Sequence, residues 1–531
     1  MKQRFKIKFF SLLLVFVFFG DLQGGENIFL CLSKKHSTAS ISGYQNIFKE
    51  LEITPNLERI SGNGVLFKNA FCSTANSELS LKSILTGAIV NPKQQKKRDQ
   101  LQPANIQSIL KKKGYNTVFF GNWIGDKKPE GFDYWEILED ASQFYNPKLI
   151  NPYRSRKIEG HTTDIITDIA LAWLKKNGNI PKPIFMVVHF NGLQQPWIPP
   201  IRNLELYNDL LLPEPVTLMA SHNYKAPPSR YQEMQIETNL NVESDLFLGP
   251  DVASSEATVA ERTKGDGLIR RLNGEQLSAW QLALRPQNEA FARSNVGMDG
   301  SISWKYQRYA KNYLRCVRAI DENVGRIYDF LHPNEKGNFW TFIYTASSGN
   351  FVGENGWFGG AWMYEPAIRI PLIITGEDYG KNRICESNVQ LLDLFPTITG
   401  ISNQSNGGIN LQSIHKENNS SENRVLYFEH YQFPDKLMVA KHYGIRNGRY
   451  KLIHYHQFDE WELFDILKDP NEQNNLYVDS IDPKLVEIIK TKLITKRKKL
   501  GLGKLLEPMP EEWRRIYRGP NARKKEQINS P

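Results

Sequence analysis

The residues with the strongest claim to chemistry stand at the end of the first apolar run. "NIFLCLSKKH" (27–36) rises from a polar flank as a strand-like segment and stops at Lys34 and Lys35, followed by His36. In α/β proteins the carboxyl end of such a strand is where binding and catalytic groups gather. Two adjacent ammonium groups there repel a cation and attract an anion. A second anion-directed feature is the helix expected to start at Ser77 in "SELSL" (77–81). The first turn of a helix offers backbone N–H groups and the positive end of the helix dipole. His36 and His189 lie close to strand ends, and both read as loop or strand histidines rather than proton carriers.

Short β-rich runs alternate with helical patterns and supply the frame for these residues. The strand candidates are Asn27–Leu32, Asn116–Phe120, Ile184–His189, Phe339–Thr345 and Ile370–Thr375. Thr163–Lys175 and Trp304–Leu331 have helical spacing. In the second, Tyr306, Tyr309, Tyr313, Val317, Ile320, Val324 and Ile327 recur at three and four residues and mark one buried face. This alternation predicts a largely parallel sheet covered on both faces. The Asn- and Ser-rich stretches "ISNQSNGGIN" (401–410) and "HKENNSSEN" (415–423) read as surface loops leading to a smaller unit. That unit carries "HYGIRNGRYKLIHYH" (442–456) and "WELFDILKDPNEQNN" (461–475), strand-like runs closing on an Asp-Pro-Asn turn. There are no internal repeats.

A chain of 531 residues needs more than one core. With 40% hydrophobic and 23% charged residues it has a globular composition. The net charge of +10 favours an acidic partner, although runs such as Lys111–Lys113 and Lys496–Lys499 read as solvated helix faces. The N-terminus is basic over Met1–Lys8 and apolar over Phe9–Phe19, and ends in "DLQGGEN". This is the pattern of a secretory signal cleaved after Gly24, with an apolar run well short of the ~20 residues of a membrane helix. The expected location is therefore secreted or periplasmic. Four cysteines, Cys31, Cys72, Cys316 and Cys385, are too few for a disulfide scaffold and read as core residues.

Several segments, in order, resemble the formylglycine-dependent sulfatases of the alkaline phosphatase superfamily. They are "TPNLERISGNGVLFKNAFC", "SILTG", "GYNTVFFGNW" with "GFDYWEIL", "YQRYAKNYLRCVRAIDENVGRIYDFL", "GENGWFGGAWMYEPAIRIPLI" and the 442–475 runs. The likeness spans Asn27 to about Leu500 and is closest to the N-acetylglucosamine-6-sulfatase and mucin-desulfating branch. It implies an alkaline-phosphatase-like α/β sandwich over 25–401, a mostly parallel mixed sheet at its centre, and a linker loop at 402–422. A small C-terminal domain with an antiparallel sheet follows at 423–500, and then a basic tail at 501–531.

The resemblance also implies a site, and this sequence departs from it. The family holds a divalent cation, usually calcium, with two aspartates that fall here on Lys34 and Lys35. A second pair, an aspartate followed by Asn, Gln or His, falls on Ser347 and Ser348. The nucleophile position, a cysteine or in some bacterial members a serine, falls on Ser77. The proline and arginine that follow it in the family become Leu79 and Leu81. Family lysine and histidine positions become Asn122 and Ile124, Asn191 and Gln194, and Asn355 and Gly360. The expectation is a catalytically inactive member that holds no calcium and no formylglycine but binds a sulfated or otherwise anionic carbohydrate. Lys34, Lys35, His442 and Arg446 are its expected sugar and sulfate contacts. Two alternatives stand beside it: an active sulfuric ester hydrolase built on Ser77, and a non-catalytic partner of an active sulfatase. Neither nucleic acid nor a membrane span is expected.

Overall fold

Every residue of Phe29–Ser33, Ile184–Phe190 and Trp340–Ala346 is shielded from solvent, as expected of strands covered on both faces. The computed structural model describes residues 25–44, 47–90, 105–123, 128–178, 181–248, 271–293, 301–333, 340–401, 407–417, 424–433, 437–477 and 482–502. The expected signal segment 1–24 and nearly all of the basic tail lie outside them.

Ten strands form the main sheet. They are β1 (Asn27–Ser33), β2 (Gly64–Phe67), β3 (Asn116–Gly121), β4 (Tyr134–Leu138), β5 (Lys148–Ile150), β6 (Ser155–Lys157), β7 (Ile184–Phe190), β8 (Trp340–Ala346), β9 (Leu372–Thr375) and β10 (Arg383–Cys385). Their spatial order is β10-β2-β9-β8-β1-β7-β3-β4-β5-β6. The central run β8-β1-β7-β3-β4 is parallel throughout, while β9 runs against both β8 and β2. Ile370–Thr375 is not one strand, because Pro371 separates Arg369–Ile370, paired with Ala70–Phe71, from β9. A proline cannot donate to a central ladder.

Alternation along β1 decides which layer each residue enters. Ile28, Leu30 and Leu32 point to one core, and Phe29 and Cys31 to the other. The second core is capped by α1 (Pro55–Gly62), α3 (Thr162–Asn177) and the long α5 (Ile302–Leu331), with the tyrosine stripe of α5 turned inward. The first core is capped by α2 (Ser77–Thr86) through Leu81, Ile84 and Leu85. A further helix, α4 (Gly274–Arg293), precedes α5. All four cysteines are buried free thiols.

The smaller unit is a four-stranded antiparallel sheet of β11 (Val425–His430), β12 (His442–Asn447), β13 (Tyr450–Tyr455) and β14 (Glu460–Asp465). One face joins the first core through Leu426, Phe428, Ile453 and Phe464. The other packs Tyr427, Ile445 and Leu452 on Ile489 and Leu493 of α7 (Pro483–Lys499). Two details differ from the sequence reading. The expected linker contains a helix, α6 (Leu411–Glu417), started by Asn410, whose side chain accepts from the Gln412 N–H, and anchored by buried Leu411 and Ile414. Within the basic run at the end of α7, Arg497 is not solvated: its guanidinium lies 3.8 Å from the centre of the Tyr443 ring.

Candidate functional site

Strand register brings the singled-out residues to one pole. Ser33, the last residue of β1, pairs with Phe190 of β7 on one side and Ala346 of β8 on the other. The next residues are therefore Lys34, Asn191 and Ser347, each just past a strand end. Backbone bonds continue the ladder there, from Lys34 N to Phe190 O at 3.1 Å and from Ser347 N to Ser33 O at 2.9 Å. Asn122 joins through its N–H to His189 O at 2.8 Å. Only glycine fits just before it, since a Cβ on Gly121 would sit 2.3 Å from the His189 carbonyl oxygen. Ser77, the first residue of α2, closes the group: Ser347 Oγ lies 3.0 Å from Ser77 Oγ.

Lys34 is the cation of this pole. Its ammonium donates to Gln194 Oε1, and Gln194 Nε2 in turn donates to Ala141 O at 2.7 Å. Burial, with Lys35 close by, lowers the Lys34 pKa to about 8. Lys35 adopts a left-handed backbone, φ 59°, and its carbonyl accepts from the Tyr313 hydroxyl at 3.1 Å. Burial holds both histidines neutral, with pKa values lowered to about 3; for His189 the charge of Lys34 adds to the effect. His36 Nδ1 is 2.5 Å from Tyr344 OH, which itself donates to Ser33 Oγ at 3.1 Å.

The pole also holds buried polar atoms that make poor hydrogen bonds. Ser348 Oγ, both amide atoms of Asn122, Asn191 Oδ1 and both ring nitrogens of His189 are buried without a well-formed hydrogen bond. Buried polar groups are normally satisfied. Here several such groups gather at the carboxyl ends of adjacent strands.

One expectation needs correcting. The first turn of α2 does not offer all its N–H groups, because Asn76 caps it, its Oδ1 accepting from Glu78 N at 3.0 Å and Leu79 N at 3.1 Å. Asn76 was legible as a strong N-cap residue just before the expected helix. What remains for a ligand is the dipole end and the Ser77 hydroxyl.

His442 and Arg446 lie elsewhere, in the seam between the two units. His442 is fully buried, stacked on Trp362 with ring centres 5.2 Å apart, and accepts from the Met363 N–H at 3.1 Å. Arg446 binds Glu365 at 3.0 Å and Asn388 at 2.9 Å and covers the Phe71 ring. The expected sugar contacts His442 and Arg446 are thus both buried, with these polar atoms engaged inside the fold. Beside them Lys451 bridges Glu365 and Glu472, at 2.7 Å to each. Asn355 is likewise a knot, donating to Thr217 Oγ1 at 3.0 Å and accepting from His222 Nε2 at 2.8 Å through its backbone. Ile124 falls outside the described residues.

Comparison with known proteins shows the family of the chain. The family described as Sulfatase matches residues 38–403, and the C-terminal region of N-sulphoglucosamine sulphohydrolase matches 353–499. The chain belongs to the sulfatase family. An N-acetylglucosamine-6-O-sulfatase of Bacteroides thetaiotaomicron is 31% identical over 468 residues, covering 85% of this chain and 82% of that protein. A solved structure in complex with its substrate D-glucosamine-2-N,6-O-disulfate superposes with a TM-score of 0.80 at 29% identity, over 90% of this chain and 98% of that one. A phosphonate monoester hydrolase of Agrobacterium radiobacter shares the fold alone, at 17% identity and a TM-score of 0.58 over 90% and 96%.

The sulfatase resemblance implies a divalent cation at this pole, and the side chains present do not fit one. Hard cations take carboxylate and carbonyl oxygens. Lys34 and Lys35 bring positive charge, and Ser347 and Ser348 bring neutral hydroxyls. Among the described residues, no group of three or more His, Cys, Asp or Glu could hold a metal.

Proposed function

We propose that this protein engages a sulfate ester of a glucosamine-type glycan at the Ser77 pole, and retains it without hydrolysing it. The observation that carries the proposal is the placement of the Ser77 hydroxyl, at the start of α2, 3.0 Å from that of Ser347, in a pole that also holds the half-buried ammonium of Lys34. The substrate class is taken from the sulfated glucosamine in the related complex. A sulfate ester carries a single negative charge, which one ammonium balances. Two unit charges ~4 Å apart attract by about 4 kcal/mol at an effective dielectric of 20. Desolvation and side-chain ordering offset much of that, so affinity on the order of millimolar is expected. Retention without turnover rests on the mismatch of the donor set with a metal and on neutral, fully buried histidines. The Ser77 hydroxyl bonds to another hydroxyl, not to a base that could activate it.

A second reading is hydrolysis of the same ester with Ser77 as the reacting position. The 31% identity to an N-acetylglucosamine-6-O-sulfatase across most of both chains favours it. Export through the basic and apolar N-terminus suits either reading, since sulfated glycans are extracellular polymers. Among the described residues no helix is long and apolar enough to cross a membrane.

Calorimetric titration with glucosamine 6-sulfate and with unsulfated glucosamine tests the shared part of both readings. Heat is expected from the first sugar only, weakening as salt rises. The Lys34→Asp, Lys35→Asp double variant should lose that binding while keeping its circular dichroism spectrum. Equal binding by parent and double variant would show that the lysines serve only as solvated surface.

A further inference from the structure

The outer stripe of α5 raises an electrostatic problem unrelated to the Ser77 pole. Arg308, Asn312 and Arg315 follow one another at four and three residues, so they share a face of the helix. Arg308 is 4% exposed and Arg315 is fully buried. Among the described residues neither guanidinium has a carboxylate partner.

Their hydrogen-bond partners among the described residues are neutral. Arg308 Nε donates to Leu246 O at 3.0 Å, Nη2 to Asn288 Oδ1 at 3.1 Å, and Nη1 to Gln287 Oε1. Arg315 Nε donates to Leu206 O at 2.9 Å, Nη1 to Asn312 Oδ1 at 2.8 Å and Nη2 to Asn208 Oδ1 at 2.5 Å. Gln287 Nε2 also donates to Asn208 Oδ1 at 2.6 Å, so the two guanidinium shells are joined. Of the acidic residues nearby, Asp209 is exposed and acts on Lys311, and the buried Asp245 carboxylate accepts from the Asn241 N–H at 3.0 Å. Burial lowers the Arg308 pKa to about 9, the charge of Arg315 adding to it, and burial lowers that of Arg315 to about 10.

A buried charge without a counter-charge is strongly unfavourable even when its hydrogen bonds are made. Donors are also in excess. A guanidinium carries five N–H groups, and the bonds above use three on each. Asn312, between the two arginines in sequence, has a buried Nδ2 with no hydrogen-bond partner among the described residues. A carboxamide that presents its oxygen to Arg315 turns its amide donor toward a place where an acceptor is missing.

We propose that Arg308, Asn312 and Arg315 form a buried site for a small monovalent anion, chloride under physiological conditions. A halide accepts from several donors at once, needs no base, and cancels one of two neighbouring positive charges. Sulfate or phosphate suits the site less well, since the cost of desolvation grows with the square of the charge. Bound halide fastens α5 to α4 and to the 206–208 segment, and so supports the layer over the second core.

The test uses the full chain in two ways. Thermal midpoints are compared in sodium chloride, sodium bromide and sodium gluconate at equal ionic strength. Both halides should raise the midpoint over gluconate by about 2–4 °C. The Asn312→Asp variant, which supplies the counter-charge covalently, should lose this halide dependence and melt higher than the parent in gluconate. Crystals of the parent soaked in bromide should show an anomalous peak beside Asn312 Nδ2, within hydrogen-bond distance of Arg308 or Arg315. Equal parent midpoints in all three salts, or no bromide at that place, would overturn the proposal.

Discussion

Lys34 and Gln194, 160 residues apart, are joined by a hydrogen bond from the ammonium to the amide oxygen. The bond fixes a cation at the end of the first strand, where backbone register with β7 and β8 also delivers Asn191 and Ser347. Burial and the neighbouring Lys35 lower the Lys34 pKa from 10.5 to about 8. The folded state thus favours the neutral amine, and between about pH 8 and 10.5 the unfolded chain binds more protons. Lys34 therefore makes stability rise with pH across that window. Affinity for a sulfate ester should fall over its lower part as the ammonium discharges. Urea denaturation of the parent and of Lys34→Met should show the variant more stable at pH 7, by up to about 3 kcal/mol, with the gap closing toward pH 10. A gap that does not change with pH would remove Lys34 as the titrating group.

Asn76 is expected to have opposing effects on stability and binding. It satisfies the Glu78 and Leu79 N–H groups with its own side chain. Asn76→Ala should cost about 1 kcal/mol in stability while releasing two donors at the start of α2. Affinity for glucosamine 6-sulfate should then rise, by a few-fold. If calorimetry shows weaker binding despite a folded protein, the sulfate does not sit at this helix end.

The seam between the two units depends on Lys451. Burial would raise the Glu365 carboxyl, but Arg446, Lys451 and Arg369 together hold it well below its usual range. A depressed carboxyl contributes stability above about pH 4.5, which is lost as pH falls below that value. Lys451→Met leaves Glu365 and Glu472 without their shared ammonium and should cost about 3–5 kcal/mol. Adding Glu472→Gln should recover part of that loss. Denaturant midpoints of the single and double variants check both statements, and equal losses would show that the bridge is not what holds the seam.

The strands and the long helix were legible because their side chains are uniform in type: β1, β7 and β8 are apolar runs, and the tyrosine stripe of α5 keeps helical spacing. Ends shifted by one or two residues, as with α3, which runs Thr162–Asn177 where Thr163–Lys175 was expected. Lys34, Ser77 and Ser347 could be grouped because family segments fixed their places on those elements. Partnership was not legible. Nothing local in "HYGIRNGRYK" says that Arg446 will meet Glu365 across a seam, since that contact depends on how two units dock. The polar run at 401–410 concealed α6 for a similar reason, because its start rests on Asn410 and its anchor on two buried apolar residues. The arginine cluster of α5 was equally hidden: its helical spacing was visible, but the neutral partners it has among the described residues appear only when α4 and the 206–208 segment close over it.

Release of inorganic sulfate from glucosamine 6-sulfate by the purified full chain, with and without added calcium, tests the central claim most directly. The account predicts no release above the protein-free control in either condition, at sugar concentrations where calorimetry shows the site to be occupied. Sulfate release above the control that disappears in Ser77→Ala would contradict it and establish hydrolysis at this pole.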